Sequence, residues 1–174
     1  MEADVDLAAL GAALDEQRSA RGLSWAGVAR ELAGSGVGSS GRRAPVAAST
    51  IAAIGTRSVA EGDGVLQLLL WLGRTPESFV PGHPLAWSPD ARLPAVGPGR
   101  ILRWDTTAVF GALDERRTSR GLTWAAVAGE VGGGWRAGNL TGLASASRVA
   151  FPSIMRVTGW LGRPAAAFTR AADA

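Results

Sequence analysis

Apolar side chains recur along this chain at intervals of three and four, the spacing that puts them on one face of a helix. Leu7, Leu10 and Leu14 open the series. The polar run Asp15, Glu16, Gln17, Arg18 continues the same helix, and Gly22 is placed to end it in the left-handed conformation. Ser24 then offers a hydroxyl to cap a second helix, whose inner side is Trp25, Val28, Ala29 and Leu32. Ile51 and Ile54 mark a short third helix. Val65, Leu66, Leu68, Leu69 and Leu72 mark a fourth, which stops at Gly73.

The pattern then returns. LDEQRSARGLSWAGVARE, starting at Leu14, reappears as LDERRTSRGLTWAAVAGE, starting at Leu113, 99 positions later. LLWLGRTPESF around Trp71 reappears as VTGWLGRPAAAF around Trp160, 89 positions later. Two echoes in the same order predict a duplicated folding unit, with ten extra residues inside the first copy. In the second copy Asp105 and Thr123 are the expected N-caps, and Gly121 the stop. Val109 and Leu113, then Trp124, Val127, Ala128 and Val131, then Leu140 and Leu143, then Ile154, Val157 and Leu161 are the inward positions. No valine-rich alternating run bounded by turns interrupts either copy, so the expected fold class is all-α. The expected organisation is residues 1–80 as one repeat, a Pro/Gly-rich linker over 81–104, and residues 105–174 as the second repeat. Trp87 and Leu93 are linker residues placed to pack on a repeat.

Composition narrows the chemistry. There is no cysteine, which removes disulfides, thiolate metal sites and cysteine nucleophiles. His83, the lone histidine, sits in a Pro/Gly stretch and reads as a solvated side chain. No metal-ligand cluster, nucleophile–base pair or phosphate-cradling motif is visible, so neither an enzyme nor a cofactor is expected. No apolar run approaches the ~20 residues of a membrane span. The acidic start (Glu2, Asp4, Asp6) is unlike a signal peptide, which makes the cytoplasm the expected compartment. All 18 basic residues are arginine, and the net charge of +3 is uneven. Residues 1–80 carry seven arginines against nine acids, whereas residues 105–174 carry eight against five. That balance permits a polyanionic partner without demanding one.

A helix ending in R-G-L-[ST], an Ala-containing second helix, a turn, and a short helix with two aliphatics three apart resemble the lambda-repressor-type (XRE-type) helix-turn-helix. The WLGR-x-x-x-x-F endings, with Phe79 and Phe168, are similar to actinobacterial members of that family. The resemblance implies two tandem repeats of a four-to-five-helix domain. It also implies that each third helix lies in the major groove of double-stranded DNA, with Ala29 and Ala128 at the contact of second and third helices. The implied DNA-binding residues of the second copy are Arg136, Asn139 and Thr141 around its third-helix start and Arg148 beyond it. Arginine suits guanine, asparagine suits adenine, and threonine suits a base or phosphate. In the first copy they are Ser49, Thr50 and Arg57, together with Arg42 and Arg43 in the glycine-rich insertion, as an arm reaching for phosphates.

The sequence also departs from the family. Trp25 and Trp124 stand where a phosphate-contacting Gln is usual, and Gly55 and Ala144 replace an acidic residue after the third helix. Six residues, Gly132 to Ala137, separate second and third helices in one copy, and sixteen, Ala33 to Ala48, in the other. The expected function is sequence-specific DNA binding by a transcriptional regulator, a covalent pseudo-dimer on an asymmetric site, as monomer or homodimer. The alternative is a helical protein-interaction module, an adaptor or antitoxin-like regulator, that has given up DNA for another regulatory protein. The tryptophans at matching positions are expected to pack in the core, and Arg18, Arg21 and Arg117 to pair with acids on their own helices.

Overall fold

The computed structural model describes residues 4–34 and 44–174. Among them are eight α-helices: α1 (Leu7–Ala20), α2 (Trp25–Leu32), α3 (Ala48–Ala52), α4 (Gly62–Leu72), α5 (Thr106–Ser119), α6 (Trp124–Val131), α7 (Ala137–Gly142) and α8 (Phe151–Leu161). Two strands, β1 (Arg100–Trp104) and β2 (Thr169–Asp173), complete the set. Single 3-10 turns at Ile54–Thr56, Pro76–Phe79, Leu143–Ser145 and Ala165–Phe168 follow α3, α4, α7 and α8. The molecule is therefore mostly helical, as its periodicity predicts.

The helix boundaries follow from local chemistry. Asp6 accepts from the Ala9 N–H, Ser24 from Gly27, Asp105 from Ala108 and Thr123 from Ala126, each satisfying a first-turn amide that has no partner inside its helix. Gly73 and Gly162 end α4 and α8 with φ of 67° and 65°, the left-handed geometry that a side chain resists. Leu10, Leu14, Val65, Leu66 and Leu69 are buried beneath α1 and α4. Val109, Leu113, Ile154 and Val157 are their counterparts beneath α5 and α8.

Two expectations are corrected. The fold is not purely helical: β1 and β2 pair antiparallel, with Leu102 opposite Ala171. In consequence Arg100–Trp104, read as the end of a linker, is a strand tied to the C-terminal segment. The second strand carries little local signal. Residues 169–173 read Thr-Arg-Ala-Ala-Asp, a sequence with little β preference, and they form a strand because β1 lies alongside. The other edge of β1 is closed by α4. Gln67 donates to the Leu102 carbonyl (2.6 Å) and accepts from the Leu102 N–H (3.3 Å), while Asp63 accepts from the Trp104 N–H (2.9 Å). Side chains thus replace a missing strand on an edge that would otherwise hold buried, unpaired backbone. Of the two linker residues expected to pack, Leu93 is half-buried against the core but Trp87 is 82% exposed.

The α4 and α8 starts meet directly. The Gly62 N–H donates to the Val149 carbonyl and the Phe151 N–H to the Ala60 carbonyl, both at 2.8 Å, on either side of a Glu61–Ala150 bridge. Past the C-terminal ends of the same two helices, the fully buried Glu77 accepts from the Ala165 N–H at 2.6 Å. Burial pushes its carboxyl above the usual range, and that amide only partly offsets the rise.

Candidate nucleic-acid interface

The helices around each third helix are tied together by a brace that occurs twice. Arg21 grips Glu31 with both terminal guanidinium nitrogens at 2.7 Å, and the Trp71 indole N–H donates to the same carboxylate at 2.7 Å. Arg120, Glu130 and Trp160 repeat this at 2.6, 3.0 and 2.8 Å. The first brace ties the end of α1 to α2 and α4, the second the end of α5 to α6 and α8. The indole bond, followed by Arg21, holds Glu31 below the usual carboxylate range; for Glu130 the Arg120 bond is the larger cause. Arg21 therefore does not pair within α1 as its spacing predicts. Its partner is ten residues away on the next helix, a relation that helical periodicity cannot reveal. Arg18–Asp15 (2.6 Å) and Arg117–Asp114 (2.7 Å) do pair within their helices. Their guanidinium groups also lie 4.8 and 4.9 Å from the Trp25 and Trp124 ring centres. The matching tryptophans are half-buried braces at the core margin more than core residues.

In the second half, α6 ends at Val131 and α7 begins at Ala137. Gly132, Gly133 and Gly134 turn the chain with φ of 70°, 61° and 82°, and Trp135 then packs inward with its indole N–H on the Ser153 carbonyl (3.1 Å). Arg136 stands at the N-cap position of α7 without using its side chain as a cap. Arg136, Asn139, Thr141 and Arg148 are all exposed, while Leu140 and Leu143 are buried beneath them. The Thr141 hydroxyl is turned back onto its own helix, donating to the Ala137 and Gly138 carbonyls at 3.2 Å. Within the described residues Arg136 and Arg148 make no hydrogen bond or ion pair, so both guanidinium groups keep their donors for a ligand.

The first half offers fewer exposed polar groups at the matching place. Helix α3 has five residues; Ser49 is exposed, Thr50 half-buried, and Ile51 and Ile54 point into the core. Arg57 is exposed just beyond it and also unpaired within the described residues. Arg42 and Arg43 lie outside the described residues. Gly11 of α1 and Gly55 explain how tightly this end packs: a Cβ on Gly11 would sit 2.7 Å from the Gly55 Cα. Sequence reasoning missed Asp63, Gln67, Arg100, Arg103 and Arg170, which gather where α4 meets the sheet. The only available signal was the i, i+4 spacing of Asp63 and Gln67 on an otherwise apolar helix.

The described residues contain no helix long and apolar enough to cross a membrane, and no cluster of three side chains suited to a metal ion. Comparison with models of known protein families, with curated protein sequences and with solved structures yields no match.

Proposed function

We propose that this chain binds double-stranded DNA sequence-specifically, as a transcriptional regulator built from two tandem helix-turn-helix units of the lambda-repressor type. The observation that carries the reading is the contact between Glu61 and Ala150. These residues occupy equivalent positions, and the two hydrogen bonds around them exchange when the halves are exchanged. A local two-fold of this kind is the relation that helix-turn-helix dimers use to address two half-sites. Here it sits just after the third helix of each half, with Arg57 on one side and Arg148 on the other. The arginines divide accordingly: those on α1 and α5 are committed to braces, whereas Arg57, Arg136 and Arg148 are exposed and unpaired within the described residues.

The unequal third helices support an asymmetric target. Arg136 and Asn139 would read base edges, and Ser49, Thr50 and Arg57 would add mainly backbone contacts. The test is selection of bound sequences from a random duplex pool across a salt series. An enriched asymmetric motif with salt-sensitive binding supports the reading; absence of binding at low salt overturns it. A second reading, an interaction module for another regulatory protein, is favoured by one observation: the exposed ring of Trp87, a residue type that anchors protein interfaces. Capture of a protein partner that is lost in Trp87→Ala would support it.

A further inference from the structure

A cleft of about 1190 Å³ runs along the outer side of α4, between the end of α2, the segment before β1, and Arg148 from the other half. Leu32, Leu70, Trp71 and Val96 give it an apolar wall, and Arg100, Arg103 and Arg148 a basic rim. The matching side of α8 is lined differently. There Trp135 covers Ser153, and Arg156, bonded to Asp4, lies over Gly133, so that a Cβ on that glycine would sit 2.4 Å from the arginine side chain. The position equivalent to Trp135 is Val46, a smaller side chain that is buried against α4 beside Gly64.

The polar groups of the cleft are unevenly satisfied. Its three side-chain carboxylates are engaged: Glu31 by Arg21 and Trp71, Glu61 by the Asp63 and Gly64 amides (3.1 and 2.7 Å), and Asp63 by the Trp104 amide. The guanidinium groups are not. Arg148 has no partner among the described residues, Arg100 spends one nitrogen on the Ala171 carbonyl, and Arg103 reaches Asp63 only at 3.8 Å. Arg103 also faces Arg170 directly across the sheet, and Asp63, whose carboxylate both arginines help to hold charged, is the counter-charge this like-charge pair shares.

We propose that this cleft binds an organic anion with an apolar body: its acidic group on Arg100, Arg103 and Arg148, its body along Leu32, Leu70 and Trp71. The chemistry follows from what remains unpaired, since spare donors on a basic rim select an anion and an apolar wall selects against a bare inorganic ion. The inference does not depend on DNA binding, and its test reads the cleft alone.

The test uses the intact chain with anilinonaphthalene sulfonate as the probe and the neutral phenylnaphthylamine as its control, followed by fluorescence titration. Saturable binding of one sulfonate per chain is expected, at least about tenfold tighter than the neutral probe. The double substitution Arg100→Gln, Arg148→Gln is expected to weaken it by about tenfold or more, with the melting temperature unchanged. Equal binding of the two probes, a stoichiometry other than one, or undiminished binding by the double variant overturns the proposal. The probe comparison on the unaltered chain decides it even where a variant folds badly.

Discussion

Glu61 and Ala150, at equivalent places in the two halves, face one another as an antiparallel bridge, flanked by reciprocal 2.8 Å hydrogen bonds between Gly62 and Val149 and between Phe151 and Ala60. Each half thus presents the same stretch of backbone to the other. The side chains there differ: Gly62 of one half corresponds to Phe151 of the other, which is fully buried. Backbone pairing sets the relative orientation, and the unequal side chains fill the space on either side of it.

Gly62 is the position where this meeting tolerates least. A Cβ there would lie 2.7 Å from the Val149 carbonyl oxygen and 2.8 Å from the Trp104 ring. Gly62→Ala is expected to cost about 1–3 kcal/mol by overpacking, measured by urea unfolding. Unchanged stability would mean that the halves do not hold each other at this point.

Base reading, on the proposed function, rests on α7. Arg136→Ala with Asn139→Ala should reduce discrimination between the selected site and random duplex by about tenfold or more, because each good base contact contributes about 1–3 kcal/mol. Both side chains are exposed and Arg136 makes no cap bond, so the melting temperature should stay where it is. A fall in stability without loss of selectivity would assign the pair to structure.

Glu77 gives the stability a pH dependence. Its pKa is raised in the folded chain, so the fold binds this proton more tightly than the unfolded chain does. The associated stabilisation is fully present below the ordinary carboxylate range and is lost as pH rises through the raised value. Glu77→Gln should remove that loss, giving a higher melting temperature than the parent at neutral pH and a flatter profile. A variant less stable at neutral pH would show that the carboxylate is needed in its charged form.

The Trp71–Glu31 bond can be tested apart from the ring. Trp71→Phe keeps most of the apolar surface but removes the indole N–H from a partly exposed carboxylate, so the expected loss is no more than about 1 kcal/mol. Glu31 should at the same time titrate closer to its ordinary range, which carboxyl NMR would detect; an unmoved titration would assign its shift to Arg21 alone.

Much of the helical scaffold could be read from the chain because the information is local. Leu7, Leu10 and Leu14 define a face, Ser24 and Thr123 mark starts, and Gly73 and Gly121 mark stops. What could not be read depends on groups brought together from far apart. Arg21 chooses Glu31 over nearer acids, β2 becomes a strand only beside β1, and Glu77 is buried by a segment 88 residues away. The exposed positions of Arg136 and Asn139 were legible because Leu140 and Leu143 fix the buried side at the start of α7. The cleft beside α4 was not, since its walls come from the end of α2, α4, the segment before β1 and Arg148, which lie far apart along the chain.

Each half also closes on itself. The Asp6 N–H donates to the Phe79 carbonyl and the Asp105 N–H to the Phe168 carbonyl, both at 2.7 Å, so the chain leaves each half beside the point where it entered. A segment with adjoining ends can be copied within a gene, or moved to another, without pulling apart what lies between them. The connector has not kept that independence here: its last five residues became β1, stitched to α4 on one side and to the end of the chain on the other, so a closed loop once free to move has been sewn to its neighbour.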